Sequence, residues 1–248
     1  MSIVQPIFSI SFIIPALNEE KVIGKFLEQL LLTIIGQHYV YEVILVNDGS
    51  SDRTGEIMES TANLYENVRV LHNSSNIGFG NSFKRGLAEA RHDYLMLLCG
   101  DGGLPAKSLP PILDKVGTAD IVIPWITNLS LIKSSGRFLL SKTYSALLNI
   151  SFGLSIKYYN GLPIYKREQL QQIIIGSSGF GFQAEIIVKL VKSGCTYVQV
   201  GVMGAEEKGT SLALRPRNCI SVAWTLLRLL SELRNLRRID KVNDKHDI

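Results

Sequence analysis

The chain has 248 residues, 46% of them apolar and 19% charged, with a formal net charge of +4. That composition supports one large core or two small ones and excludes wholesale disorder. A charge so small gives no ground for a nucleic-acid partner. Three cysteines, Cys99, Cys195 and Cys219, are widely spaced and odd in number, which suggests a reducing compartment and argues against a cysteine-pair metal site. The four histidines, His38, His72, His92 and His246, show no ligand spacing.

Met1–Pro6 lacks the basic region of a secretory signal. The longest charge-free apolar stretch of the second half, Thr143–Ile156, has 14 residues, whereas a spanning helix needs about 20. A transmembrane anchor is not expected.

Phe8–Ile14 reads as a buried strand, followed by Pro15-Ala16-Leu17-Asn18 and a helix from Glu19 with Asn18 as its cap. Val22, Ile23, Phe26, Leu27 and Leu30 are expected on the inner side of that helix. The stretch Glu42–Thr54, EVILVNDGSSDRT, is the organising one. Val43–Val46 is a short apolar run stopped by a turn cluster, the pattern of a strand buried on both faces. Ser51 or Asp52 can cap the next helix. Val68–His72 is a third strand, leading through Asn76–Gly80 into a helix with Phe83, Leu87 and Ala90 on one face. Asp93–Leu98 is a fourth strand, closed by Cys99-Gly100-Asp101-Gly102-Gly103. Leu109–Val116 is expected to be helical and Ile121–Ile123 a fifth strand. This alternation predicts an α/β fold with a mostly parallel sheet covered on both faces.

Beyond Pro124, Ser134–Phe152 has helical spacing, Leu162–Tyr165 and Tyr197–Val200 are candidate strands, and Gln183–Lys192 is a helix between them. From Pro216 a long amphipathic helix is expected. Val222, Leu226, Leu229, Leu230, Leu233 and Leu236 form its stripe, opposite Ser221, Thr225, Arg228, Glu232 and Asn235. The division is therefore 1–215 for the main domain and 216–248 for a basic helix and tail.

Ligands of open α/β sheets bind beyond the carboxyl ends of the strands. Asp48 and Asp101 both fall there, so either is a candidate for a ribose, a base or a cation-bound phosphate, or simply a turn residue. Gly78 and Gly80 do not make a dinucleotide fingerprint, because the next glycine, Gly86, is too far away and the segment follows the third strand. Lys133, Arg137 and Lys142 at the start of an apolar helix read as a solvated face or as a seat for an anionic acceptor at a membrane surface. In the C-terminal segment Arg215, Arg217, Arg228, Arg234, Arg237, Arg238 and Lys241 face only Glu232 and Asp240. Its leucine stripe packs on the domain, meets a partner helix, or docks on anionic lipid.

IIPALNEE, EVILVNDGSSDRT, NIGFGNSFKRG, the Gly-Asp turn at 100–101, YYNGLPIYKRE and GFGFQAEII occur in the order found in family-two glycosyltransferases. Over about Ile10–Arg217 the chain most resembles the dolichyl- or polyprenyl-phosphate mannosyl- and glucosyltransferase branch. The resemblance implies a GT-A fold and inverting transfer of a sugar from a UDP- or GDP-sugar to a polyprenyl phosphate (dolichyl or undecaprenyl). It implies a peripheral site of action on the cytoplasmic face of a membrane.

The resemblance also assigns residues. Pro15, Ala16, Leu17, Glu19, Val46, Asp48, Gly49, Gly78, Gly100 and Asp101 would line the donor, with Asp48 on the base or ribose. Asp101 matches the second carboxylate of the DXD motif and would meet Mg²⁺ or Mn²⁺ and the diphosphate. Arg137 and Ser141 match the positions that hold the lipid phosphate. Glu185 matches an acidic position near the acceptor, the base if that acceptor is a sugar hydroxyl. The chain departs from the pattern at Cys99, where the motif's first Asp is expected, and at Gly103, where Gln is frequent. It departs again at Glu206 and Leu212, which take the places of an Arg and a Lys near the diphosphate. A glycan hydroxyl as acceptor, or a silent binding subunit, are the alternatives.

Overall fold

The computed structural model describes residues 8–35, 37–179, 181–205 and 224–232. Its strands are β1 (Ser9–Ala16), β2 (Val40–Asn47), β3 (Val68–His72), β4 (Tyr94–Leu97), β5 (Ile121–Ile126), β6 (Ile164–Lys166) and β7 (Tyr197–Val202). Its helices are α1 (Ile23–Ile34), α2 (Thr54–Ala62), α3 (Phe79–Glu89), α4 (Pro110–Leu113), α5 (Leu129–Ile132), α6 (Ser135–Phe152), α7 (Arg167–Gln171) and α8 (Phe182–Lys192). A further helical stretch covers 224–232.

The strands form one sheet in the order β3-β2-β1-β4-β6-β5-β7. β1 pairs in parallel with β2 from Ser9↔Val40 to Ala16↔Asn47, and with β4. Only β6 runs antiparallel to its neighbours, β4 and β5. Successive side chains of a strand point to opposite faces, and every residue from Ile10 to Ile14 and from Val43 to Val46 is 0% exposed. Both faces of the central strands are therefore covered, as a parallel sheet requires. One polar pair is admitted there: the buried Ser11 Oγ donates to Glu42 Oε1 at 2.7 Å, and the Arg91 amide donates to the same oxygen at 2.8 Å.

The expected elements are present with local differences. α1 starts at Ile23 rather than Glu19, and Val22 is exposed instead of facing inward. Asn18 does not cap α1. It sits in the left-handed region at φ 55°, and its Oδ1 accepts the Ser51 amide at 2.9 Å, tying the β1–α1 loop to the β2–α2 loop. Asp52, not Ser51, serves the start of α2, accepting the Thr54 amide at 3.0 Å and the Thr54 hydroxyl at 2.6 Å. The expected 109–116 helix is regular only over α4.

The C-terminal helix corrects the expectation most. Leu229 is buried and Leu226 and Leu230 half-buried, but Thr225, assigned to the polar face, is buried too, whereas Trp224 and Leu227 are exposed. The inward face is Thr225, Arg228, Leu229 and Glu232, a three-and-four spacing, because Arg228 finds a buried carboxylate partner. Ser221, Val222, Leu233, Asn235 and Leu236 lie outside the described residues, as does the 215/216 boundary.

Gly49 has φ +71°, and a Cβ there would stand 2.5 Å from the Ser75 carbonyl carbon and 2.7 Å from the Asn76 nitrogen. Gly49→Ala is therefore strained by both conformation and contact. It is expected to cost more than about 1 kcal/mol, measured by urea denaturation.

Candidate donor and acceptor sites

The loops after β1, β2, β3 and β4 meet along one rim of the sheet. The Asp48 amide donates to the Ala16 carbonyl at 2.9 Å, so the two loop starts touch. On the other side of β1, a Cβ on Gly100 would stand 2.7 Å from Ala16 Cβ and 3.4 Å from the Pro15 carbonyl oxygen. Asp48 and Asp101 thus flank the end of β1, two strand spacings apart, about 10 Å. The structure brings Pro15, Ala16, Leu17, Glu19, Val46, Asp48, Gly49, Gly78, Gly100 and Asp101 to this one rim. Pro15, Ala16, Val46 and Gly100 are buried beneath it, and Leu17, Glu19, Gly49 and Gly78 are half-buried.

Asp48 stands at this rim with its side chain turned into the loops. It is 3% exposed. Its Oδ1 accepts from Asn73 Nδ2 at 2.8 Å and the Ile77 amide at 2.9 Å, and its Oδ2 accepts from the Gly78 amide at 2.9 Å. A carboxylate has about four acceptor sites, so one, on Oδ2, is left. The Asp48 side chain thereby fixes the 73–78 loop against the rim. Asn73 in turn donates to Ser82 Oγ at 2.8 Å and accepts from Arg85 Nη1. Nothing in the sequence marked Asn73, which stands 25 positions from its partner.

Asp101 is exposed, and its Oδ1 accepts the Gly103 amide at 2.9 Å. Burial, and then the negative charges of Asp101 and Asp52, raise the Glu19 carboxyl above its usual range. Burial also pushes the Cys99 thiol up, with Asp101 and Glu19 adding to the effect. Cys99 is therefore a neutral thiol, a poor ligand for a hard divalent cation. Among the described residues no group of three His, Cys, Asp or Glu side chains gathers as a metal cage. The rim instead fits a cation held by the exposed Asp101 and by donor phosphates, since Mg²⁺ commonly uses one or two carboxylates with substrate oxygens.

Arg137 and Ser141 are half-buried, one turn apart on α6, on the side that continues into the buried Ser145, Leu148 and Phe152. Glu185 lies on α8, 0% exposed. Its Oε1 accepts from the Gly176 amide and from Lys189 Nζ, both at 2.9 Å. Its Oε2 accepts from the Ser177 amide at 2.8 Å and Arg228 Nη2 at 2.5 Å. Burial alone pushes this carboxyl up. The bonds from Ser177, Lys189 and the Gly176 amide outweigh that and hold it down at about 2. The same loop reaches the donor rim: a Cβ on Gly80, at the start of α3, would stand 2.6 Å from the Ser178 carbonyl oxygen.

Glu185, the candidate base for a sugar-hydroxyl acceptor, is engaged by four donors in this arrangement, and a carboxylate so held takes up a proton poorly near neutral pH. Arg228 was missed because it sits 43 positions away on a helix whose leucines pointed elsewhere. Glu206 and Leu212 lie outside the described residues.

An α/β sheet of this topology with loops gathered at its carboxyl rim is a GT-A nucleotide-diphospho-sugar domain. In fold, the chain is similar to glucosyl-3-phosphoglycerate synthase of Mycobacterium tuberculosis in complex with UDP. The TM-score is 0.72 at 18% identity, over 90% of this chain and 80% of that one. It is also similar to the same synthase with Mn²⁺, UDP and glucosyl-3-phosphoglycerate, at a TM-score of 0.67 and 20% identity, over 90% of this chain and 80% of that one. The chain belongs to glycosyl transferase family 2, whose family model matches residues 11–165.

Among its relatives is a dolichyl-phosphate beta-glucosyltransferase of Trichomonas vaginalis, 34% identical over 103 residues, which are 40% of this chain and 32% of that protein. Another is an undecaprenyl-phosphate mannosyltransferase of Micrococcus luteus, 28% identical over 185 residues, 67% of this chain and 73% of that protein. The chain thus matches about a third of the length of the first relative and nearly three quarters of the second.

Proposed function

We propose that the chain is an inverting glycosyltransferase that moves a sugar from a UDP- or GDP-sugar to a polyprenyl phosphate at the cytoplasmic face of a membrane. The observation that carries this reading is the contiguous rim Gly78–Asp48–Ala16–Gly100, with Asp101 exposed beside it, in a family 2 chain. Relatives named for dolichyl- and undecaprenyl-phosphate support the acceptor class. Among the described residues no helix is long and apolar enough to cross a membrane, so the contact with lipid would be peripheral.

In such a transfer a phosphate oxygen of the acceptor forms a bond to the anomeric carbon, and the bond from that carbon to the donor diphosphate breaks, releasing UDP or GDP. The acceptor oxygen is already anionic, so the step asks for orientation and charge stabilisation rather than a strong base. Arg137 and Ser141 would hold the acceptor phosphate. Asp101 would hold Mg²⁺ or Mn²⁺ against the diphosphate, a cation that neutralises the leaving group when bound. The engaged state of Glu185 favours this acceptor over a sugar hydroxyl, which needs a proton acceptor.

Purified protein, radiolabelled UDP- and GDP-sugars and undecaprenyl or dolichyl phosphate should yield label extractable into organic solvent. Arg137→Ala should lower that transfer by about 10²–10³-fold, the usual cost of removing a charge-stabilising donor. No lipid product from any common donor would overturn the proposal.

A further inference from the structure

α6 is apolar on two opposite sides, and among the described residues only one of them is buried. Its inward side holds Ser145, Leu148 and Phe152, all buried. Its outward side carries Leu139, Leu147 and Ile150, 66%, 46% and 83% exposed, with Thr143 and Ala146 completing the stripe at helical spacing. Leu131 on the adjoining α5 is 83% exposed. A run of exposed aliphatic side chains on one helix is more than the scattered apolar exposure normal to a protein surface.

The charge that α5, α6 and the residues joining them carry has one sign. From Leu129 to Phe152 there is no Asp or Glu, while Lys133, Arg137 and Lys142 are cationic. Lys142 is exposed at one edge of the stripe, its Nζ 5.7 Å from the centroid of the Phe138 ring. An apolar stripe edged by Lys142, on helices that have no carboxylate in their own sequence, matches the boundary between acyl chains and anionic headgroups. It suits a second copy of the chain poorly, since two such faces would bring like charges together.

We propose that the outward face of α5 and α6 docks on an anionic phospholipid bilayer, with Leu131, Leu139, Leu147 and Ile150 at the acyl boundary. α6 then sets the orientation of the domain on the bilayer. Arg137 and Ser141 face the opposite way from the lipid-facing stripe, toward the protein, at the end of α6 nearest Lys133. That position suits a phosphate drawn up from the headgroup layer. The benefit to catalysis rests on the acceptor proposed above; the docking face rests on exposure and charge alone.

The test is co-sedimentation of the full chain with vesicles of phosphatidylcholine and with vesicles of equal parts phosphatidylcholine and phosphatidylglycerol, without donor or polyprenyl phosphate. The protein should sediment with the anionic vesicles, less with the neutral ones, and less again at high salt. The double variant Leu139→Glu/Ile150→Glu should weaken anionic-vesicle binding on the order of 100-fold. Its circular dichroism and melting should match the parent, because both side chains are exposed. Leu64→Glu, at a position 77% exposed on another surface, should bind as the parent does.

Three results would overturn the proposal: no binding to anionic vesicles, undiminished binding of the double variant, or a dimer that this variant abolishes with no vesicle binding in the parent. Vesicle binding without sugar transfer would leave the docking face standing and count against the transferase reading alone.

Discussion

Glu185→Ala is expected to lower the stability of the domain by about 3–5 kcal/mol, the range for breaking a buried, hydrogen-bonded ion pair. The carboxylate is wholly buried and accepts from two backbone amides, Lys189 and Arg228. Its removal strands all four donors and takes away the Arg228 link between 224–232 and α8, leaving the Lys189–Glu232 bridge at 2.7 Å.

The effect carries a pH signature. The folded state holds the carboxyl at about 2, against an ordinary value of 4.5. The carboxylate therefore contributes stability that is present in full above 4.5 and is lost as pH falls from there through 2. The shift corresponds to about 3 kcal/mol. Urea denaturation of the parent and of Glu185→Gln should show a gap at neutral pH that narrows steadily below pH 4.5. A gap that does not change with pH would show that the charge has no part in it. Were Glu185 instead the catalytic base, Glu185→Gln would abolish turnover and leave the melting temperature in place.

Asp101→Ala is expected to do the reverse. The side chain is exposed and, among the described residues, accepts from the Gly103 amide two positions on, so stability should change by no more than about 0.5 kcal/mol. Sugar transfer should fall by about 10²–10³-fold if the residue stabilises charge on the departing diphosphate. Initial rates across a range of Mn²⁺ concentrations check the assignment. The loss should be partly recovered in Asp101→Asn at high Mn²⁺, because an amide oxygen still ligates, though without charge. An Asp101→Ala enzyme with parental rates would remove the residue from the donor site.

The sheet was legible because its strands are short β-branched and aliphatic runs stopped by turn residues. Val43–Val46 and Val68–His72 carry that signal without ambiguity, and β3 begins and ends where the pattern does. The antiparallel direction of β6 was not legible, since a three-residue strand has no directional mark and takes its course from neighbours on both sides.

The rim was legible as positions, through strand ends followed by Asp-Gly and Gly-Asp turns. The way Asp48 is spent was not, because its donors are backbone amides of a loop whose path local pattern does not fix. The C-terminal helix misled for a related reason. Hydrophobic periodicity places leucines inward, yet at Arg228 one charge-assisted contact to a buried carboxylate outweighed that preference locally. The outward stripe of α6 was hidden by composition: a helix apolar on both sides reads as buried until its neighbours are known.

The most direct measurement is a calorimetric titration of UDP and of GDP, with and without Mn²⁺, into the parent protein and into Asp101→Asn. Saturable one-to-one binding of one of the two nucleotides is the expected result, strengthened by Mn²⁺ in the parent and losing most of that strengthening in the variant. No binding of either nucleotide, or Mn²⁺-dependent binding unchanged in Asp101→Asn, would contradict it.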